Sequence, residues 1–465
     1  MENSIKTPEL IASTGNVYSC SISESRGREN GSLDKPPGQL SPSPEPREED
    51  AEWNYFKSAQ WSADGTSLLT NSADNKIRTF ILPPDLLEPH SSPITLSPYT
   101  IHANPSPINT LAPYPSYTLS SPNTTLYLTS PSSLPIRLTN SLSPTATPAA
   151  AYPLVSPTTE AYQTPSSLLW TSPTTFLAGT DCLIALFDIT RPGSGPTQSL
   201  PTIPSKRHKM KGGGVGIRGI ISALSLQPSA GEETGVGMVA AGTWTRWIGL
   251  YDMAGLGGTV AQWSIAEAAD SVAGIGGMGV SQTAWSACGR YLYVVERKSD
   301  GVLVYDIRGE RKMLGWLVGR HAGTNQRLGV DVFGADRGME VWAGGVDGVV
   351  RVWEGVGLSE GAMERSWEWK AHDDPVTSTV VHSSGTVVAT CSGQRSLGVQ
   401  EADLESDSEN DSESSNSTDQ SSSDSDCSSS DSDDYHKKSS GISPQTSTRP
   451  STTRVPDNSI KVWKL

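Results

Sequence analysis

At 465 residues and a formal net charge of −15, the chain is 35% hydrophobic and holds no run of about eighteen apolar residues. Its opening, MENSIKTPEL, lacks the apolar centre of a signal peptide. A secreted or membrane-spanning protein is therefore not expected.

Five cysteines, Cys20, Cys182, Cys288, Cys391 and Cys427, are scattered with no C-x-x-C spacing. That suits a reducing compartment and argues against a metal site. The charge is concentrated. Residues 396–436 hold thirteen Asp and Glu and no Lys or Arg, and taking those thirteen from −15 leaves −2 for everything else. The folded surface should be near neutral, with the acidity confined to one segment.

Residues 1–23 contain one candidate strand, Leu10 to Ser21, and residues 24–52, rich in Pro, Gly and Ser, read as a flexible linker. A unit then recurs: a turn Asp, alternating β-branched and polar residues, and an aromatic. It appears as Asp74–Phe80 (DNKIRTF), Asp181–Phe187 (DCLIALF), Asp300–Tyr305 (DGVLVY), Asp347–Trp353 (DGVVRVW) and Asp457–Trp463 (DNSIKVW). Repeats at roughly 40–60 residue spacing read as propeller blades. A propeller is one closed domain however many blades it has.

Blade one runs from Trp53 to Pro83 with strands FKSAQW, SLLTNS and KIRTFIL. Residues 84–166 are dominated by Ser, Thr and Pro. Yet Tyr114, Tyr117, Leu119, Thr125–Thr129 and Ile136–Leu138 alternate at period two, predicting a degenerate second blade without its aromatic, between loose loops. Blade three reads SSLLW, TTFLAGT and LIALFDI; blade four GIISALSL, VGMVAAGT and WIGLYDM. Blade five reads SQTAWSA, YLYVVER and GVLVYDI; blade six RLGVDVF, MEVWAGG and GVVRVWE. Blade seven begins WKAHDDPVTSTVV and TVVATCSG, is interrupted after Arg395, and resumes at Ile460. The expected fold is all-β, a seven-bladed β-propeller formed by 53–395 and 456–465, with 396–455 a disordered acidic Ser-rich insert. If Ile460–Trp463 is a third strand, Leu10–Ser21 can supply the fourth and close the ring, removing two open sheet edges.

Blade seven also carries His372, Ser392, Asp457 and Trp463. The set suits a buried hydrogen-bond chain fixing strand register better than a Ser-His-Asp triad, because the Asp recurs in blades with no His. No catalytic constellation or metal-ligand cluster stands out elsewhere, so neither enzyme activity, cofactor nor small-molecule substrate is expected.

Loops entering each blade, and those joining its second and third strands, should open on one rim. Three unusual segments fall there. Lys206, Arg207, Lys209 and Lys211, with His208 among them and Gly212–Gly214 after, precede blade four. Asn325, Gln326 and Arg327, after Thr324, lead into blade six; Gln394 and Arg395, after Ser392 and Gly393, follow the second strand of blade seven. Basic residues beside Asn and Gln suit phosphate contact with base-edge reading of RNA; a short basic run is also a common solvated loop or import signal. The Gly triplet lacks a phosphate-loop context. In the insert, Ser406, Ser408, Ser421, Ser423, Ser428 and Ser430 each have an acidic residue three positions on, the pattern of an acid-directed kinase site. An unmodified spacer is the alternative; a phosphorylated insert could compete with RNA for the rim.

FKSAQWSADGTSLLTNSADNKIRTFILPPDL resembles the first blade of the telomerase Cajal body protein family, a WD40 group, and the likeness continues through GTNQRLGVDVF and VVATCSGQR in the expected order. NSADN, TNQR and SGQR are more specific than a generic WD repeat. The resemblance covers most of 53–395 and is poorest in blade two and the linkers. It implies a nuclear protein that binds small nuclear RNA of the H/ACA guide type, including telomerase RNA, with Asn325, Gln326, Arg327, Gln394 and Arg395 at matching positions. Fungal relatives are associated with pre-mRNA splicing. Two readings stay open: an RNA-binding scaffold of small nuclear ribonucleoproteins, or a protein-only scaffold in splicing or another nuclear complex.

Overall fold

The computed structural model describes residues 7–15, 18, 54–204, 216–228, 237–252, 258–309, 312–335, 338–394 and 456–465. They form seven sheets of four antiparallel strands, two of which gain a short fifth. Six follow the chain: 56–103, 108–152, 167–201, 221–264, 280–318 and 330–370. The seventh combines Val376–Val381, Val387–Ser392, Ile460–Lys464 and Glu9–Ser13, in that order. First strands of neighbouring blades touch one another in turn all the way round, so the seven sheets close into a ring with those strands innermost.

Glu9–Ser13 closes it. The strand runs antiparallel to the C-terminal one, Glu9 opposite Lys464, Leu10 opposite Trp463, Ala12 opposite Val462 and Ser13 opposite Lys461. Ala12, Ile460 and Val462 are fully buried, and Ile11 and Ala12 pack with Phe56, Phe80, Val387 and Cys391 at the junction of blades seven and one. The described strand is shorter than the Leu10–Ser21 span read from sequence. Beyond it, the Tyr18 backbone is gripped by Asn458, whose Oδ1 accepts from Tyr18 N at 2.8 Å and whose Nδ2 donates to Tyr18 O and Asn54 O.

The same hairpin chemistry recurs around the ring. Between second and third strands a residue with positive φ turns the chain: Asn75, Ser133, Cys182, Arg246, Lys298 and Gly348 in blades one to six. The residue before it is Asp in blades one, three and six. There Asp74 and Asp347 pair with Arg78 and Arg351 on the following strand, four residues on. A second repeated device sits at the end of the first strand. Trp61, Trp170 and Trp285 each donate the indole N–H to a first-strand carbonyl of the preceding blade, Val380, Ala112 and Ser225. One side chain thus buries an aromatic surface and fixes the offset between two sheets.

The Pro-rich stretch divides differently from the reading of one degenerate blade over 84–166. Thr100–Ala103 pairs with Lys76–Ile81 as the fourth strand of blade one, and Ile94–Thr95 runs parallel to the closing strand, covering its outer edge. Residues 108–152 then make a complete four-stranded blade. Its third strand has no aromatic, but Tyr117, Tyr127 and Tyr152 from neighbouring segments are fully buried in its place. Tyr127 Oη meets His102 Nδ1 at 2.6 Å, and Tyr152 packs edge-on against Phe176 of blade three. Prolines 113 and 131 stand at strand ends, where a missing N–H is tolerated. Among the described residues no helix is long and apolar enough to cross a membrane.

His372, Thr390, Asp457 and Trp463 form one buried relay in blade seven. Trp463 Nε1 donates to Thr390 Oγ1 at 2.9 Å, Thr390 Oγ1 lies 2.8 Å from His372 Nε2, and His372 Nδ1 lies 3.2 Å from Asp457 Oδ2. The partners fit a neutral imidazole protonated at Nδ1. Ser392 donates to Asp457 as well, so the serine is on the carboxylate and not on His372 Nε2. Burial pushes the His372 pKa below its usual 6.5 despite Asp457 beside it. Burial alone would raise the Asp457 carboxyl, but hydrogen bonds from His372, Ser459 and the Asp373 N–H hold it well below the ordinary 3.8.

Two outcomes follow for the seam. Ala12→Asp puts an unpaired carboxylate into a fully buried position and should cost about 3–5 kcal/mol in urea unfolding, whereas Glu9→Ala on the exposed side of the same strand should change stability by less than about 0.5 kcal/mol. Acid should also loosen it. The unfolded chain takes up a proton on His372 near pH 6.5 that the native relay refuses, so this contribution is present above 6.5 and declines as pH falls; Asp457 adds a further loss below its unfolded 3.8. Amide exchange of Ile460–Lys464, corrected for intrinsic rates, should quicken between pH 7 and pH 5 relative to blade five; equal protection at both would contradict it.

Candidate RNA-binding rim

The loop Arg320–Gly329, between blades five and six, is pinned from beneath. Arg320, almost wholly buried, donates from Nη2 to Leu328 O at 2.6 Å. Burial pulls its pKa down to about 10, with Asp300 opposing. Thr324 O accepts from Lys298 N at 3.1 Å, and Gly329 N donates to Thr377 O at 2.8 Å. Blade six adds Val346 N–H to His321 O at 2.8 Å, so blades five, six and seven all fix this loop.

On that support Asn325 is exposed and Gln326 and Arg327 are half-buried. Gln326 Nε2 donates to Gly393 O at 2.9 Å, joining the TNQR loop to the SGQR turn of blade seven. Ser392 and Gly393 shape that turn: Ser392 Oγ bonds Asp457, and Gly393 N donates to Pro375 O at 3.1 Å. Gly393 has φ 130°, and a Cβ there would stand 2.5 Å from Tyr55 Cβ. Gln394 is half-buried beside it.

Arg327 reaches inward instead. Its Nη2 approaches Ser222 O, on the inner strand of blade four, at 3.5 Å, so the side chain spans the inner end of blade five. Burial, then the neighbouring Arg297 guanidinium, pull its pKa down to about 10. Arg297 follows the second strand of blade five, with Cζ 4.4 Å from the ring centroid of Trp244, which occupies the same position in blade four. Trp244 is 46% exposed.

Two other arginines on this arc are already matched. Arg246 bonds Asp270 at 2.7 Å and buried Glu296 at 2.8 Å. Burial raises the Glu296 pKa, and the Arg246 contacts oppose that rise. Arg351 is paired with Asp347 and Glu368. Arg297 and Arg327, by contrast, have no carboxylate partner among the described residues.

Sequence reading found the TNQR and SGQR segments but missed Trp244 and Arg297. The signal available was an aromatic and a cation at the hairpin position where other blades place Asp or a small residue. Lys206, Arg207, Lys209, Lys211 and Arg395, and the six serines of the insert, lie outside the described residues.

Gly393→Ala should cost about 1–3 kcal/mol from its strained backbone, and should move the carbonyl that receives Gln326. Urea denaturation read beside a Gly323→Ala control, whose site is open, checks it.

No protein-family model matches the chain. It is 29% identical over 312 residues to guanine nucleotide-binding protein negative regulator 1 of Schizosaccharomyces pombe, covering 66% of this chain and 72% of that protein. It is 26% identical over 353 residues to telomerase Cajal body protein 1 of Rattus norvegicus and 25% identical over 352 residues to that of Homo sapiens. Each of the latter covers 74% of this chain, which spans 59% and 57% of their lengths. With these likenesses and a closed ring of seven blades, the chain is a β-propeller protein similar in sequence to the telomerase Cajal body proteins.

Proposed function

We propose that the chain is a non-enzymatic, nuclear RNA-binding scaffold that helps assemble or deliver a small ribonucleoprotein, with an H/ACA guide-type or telomerase RNA as its cargo. The observation that carries this reading is the joining of two segments by Gln326 and Gly393 beside a half-buried Arg327 that meets no carboxylate among the described residues. Asn and Gln amides can both donate and accept toward a base edge, and a guanidinium without a carboxylate can take a phosphate. The printed names of the mammalian relatives, telomerase and Cajal body, agree with such a cargo and with a nuclear location.

A protein-only scaffold, in splicing or another nuclear complex, is the second reading. It is favoured by the Schizosaccharomyces pombe relative, whose name describes a regulator of a guanine nucleotide-binding protein.

Crosslinking in cells followed by sequencing should recover one class of structured small RNA above background; stable protein partners with no enriched RNA would favour the second reading. In vitro, Arg327→Ala should weaken RNA binding roughly tenfold and flatten the dependence of affinity on salt by about one ion. Asn325→Ala, at an exposed position, should weaken binding with no change in salt slope. Arg395→Ala should behave as Arg327→Ala does. Unchanged affinity in all three would remove these residues from the interface.

A further inference from the structure

Between the hairpins of blades four and five the rim carries two unfavourable features side by side. Arg297 and Arg327 are close enough to depress one of the two guanidinium pKa values, both are partly withdrawn from water, and neither meets a carboxylate among the described residues. Arg297 Nε is buried with no hydrogen-bond partner among them. The second feature is Trp244, 46% exposed although its ring is covered by the Arg297 guanidinium at 4.4 Å. With the Arg297 guanidinium over the ring, nearly half of the residue still meets solvent.

Trp244 is held firmly in this position. Its backbone N–H donates to Ile220 O at 3.1 Å, and Gly279, at φ 104°, lies so close that a Cβ would stand 2.6 Å from the Trp244 carbonyl oxygen. Arg297 is fixed at its own backbone by Gly279 and Met278, through N–H to Gly279 O at 3.0 Å and from Met278 N to its carbonyl at 2.8 Å. Two adjacent turns thus fix the backbones that carry the stacked indole and guanidinium, while Arg327, from the loop before blade six, reaches Ser222 O of blade four and feels the Arg297 charge.

We infer that Trp244, Arg297 and Arg327 form a platform for one unpaired nucleotide, its base stacked on the open side of Trp244 and its phosphate held by the two guanidiniums. The inference rests on the RNA-binding reading above and names the subsite that takes the strand. A nucleotide answers both features at once: the base covers an exposed indole and the phosphate neutralises a crowded cation pair. A phosphopeptide would satisfy only the cations. A base within a duplex keeps its faces stacked on its neighbours, so the ligand must be single-stranded. Asn325, exposed in the loop that carries Arg327, is then placed to meet the edge of a neighbouring base.

The test uses the full chain and a short single-stranded RNA of mixed sequence with 2-aminopurine at one position. On binding, the probe fluorescence should be quenched by stacking. Trp244→Ala should abolish the quench and weaken affinity roughly tenfold with the salt slope unchanged; Trp244→Phe should restore part of both. Arg297→Gln should lower the salt slope by about one. Thermal melting of each variant reports whether the fold is intact, and the Phe variant retains an aromatic should the Ala variant fail to fold. Binding by the wild type with no quench, or unaltered by Trp244→Ala, overturns the platform while leaving RNA binding in place. No binding of RNA by the wild type removes both, and binding of a phosphoserine peptide without RNA would assign the cation pair to protein recognition.

Discussion

The antiparallel pairing of Glu9–Ser13 with Ile460–Lys464 decides what the rest of the molecule can be. Each blade leans on its neighbours through first-strand contacts, so an unclosed row would end in two exposed sheet faces and two unpaired edges. Closure comes from the two ends of the chain, which makes the seam the point of largest sequence separation and highest loop-closure cost. Buried Ala12, Ile460 and Val462, and the parallel strand Ile94–Thr95 laid over the outer edge, concentrate interactions there.

The seam and the rim are one construction. Asp457 accepts from His372, Ser392 and Ser459, while the next residue, Asn458, holds Tyr18 and Asn54. Ser392 in turn begins the SGQR turn whose Gly393 carbonyl receives Gln326. A chain of short polar contacts therefore runs from the closing strand to the loop before blade six. Such networks define a single geometry only when fully satisfied, and here hydroxyl, amide and imidazole groups satisfy a carboxylate that burial would otherwise disfavour. The rim is shaped by the same contacts that lock the circle, so changes at either should be felt at the other.

Local signals were legible and contacts between blades were not. The Asp turn, the alternation after it and the closing aromatic lie within one hairpin, so DGVVRVW announces a strand whatever surrounds it. The Pro-rich stretch hid two complete edges. Thr100–Ala103 pairs with blade one after Ile94–Thr95 has passed along the seam, and composition carries no trace of that path. Trp61, Trp170 and Trp285 recur visibly, but their role as donors to the preceding blade depends on how two sheets are offset. The same limit applies at the rim. TNQR and SGQR stand out as unusual strings, whereas Trp244 and Arg297 belong to different hairpins and acquire meaning only when the ring sets them face to face.

Which cations this surface offers is settled by the acids already beside them. Asp74, Asp347, Glu368, Asp270 and Glu296 each sit against an arginine, and those arginines brace hairpins. A guanidinium committed to a buried or half-buried carboxylate is costly to withdraw, because the acid would be left unpaired. Arg297 and Arg327 carry no such obligation among the described residues, and their dehydration is an expense that an incoming anion would offset. Net charge near zero over the propeller therefore does not mean a featureless surface. Pairing commits several arginines to nearby acids, while Arg297 and Arg327 stand without a carboxylate among the described residues beside an indole that is 46% exposed.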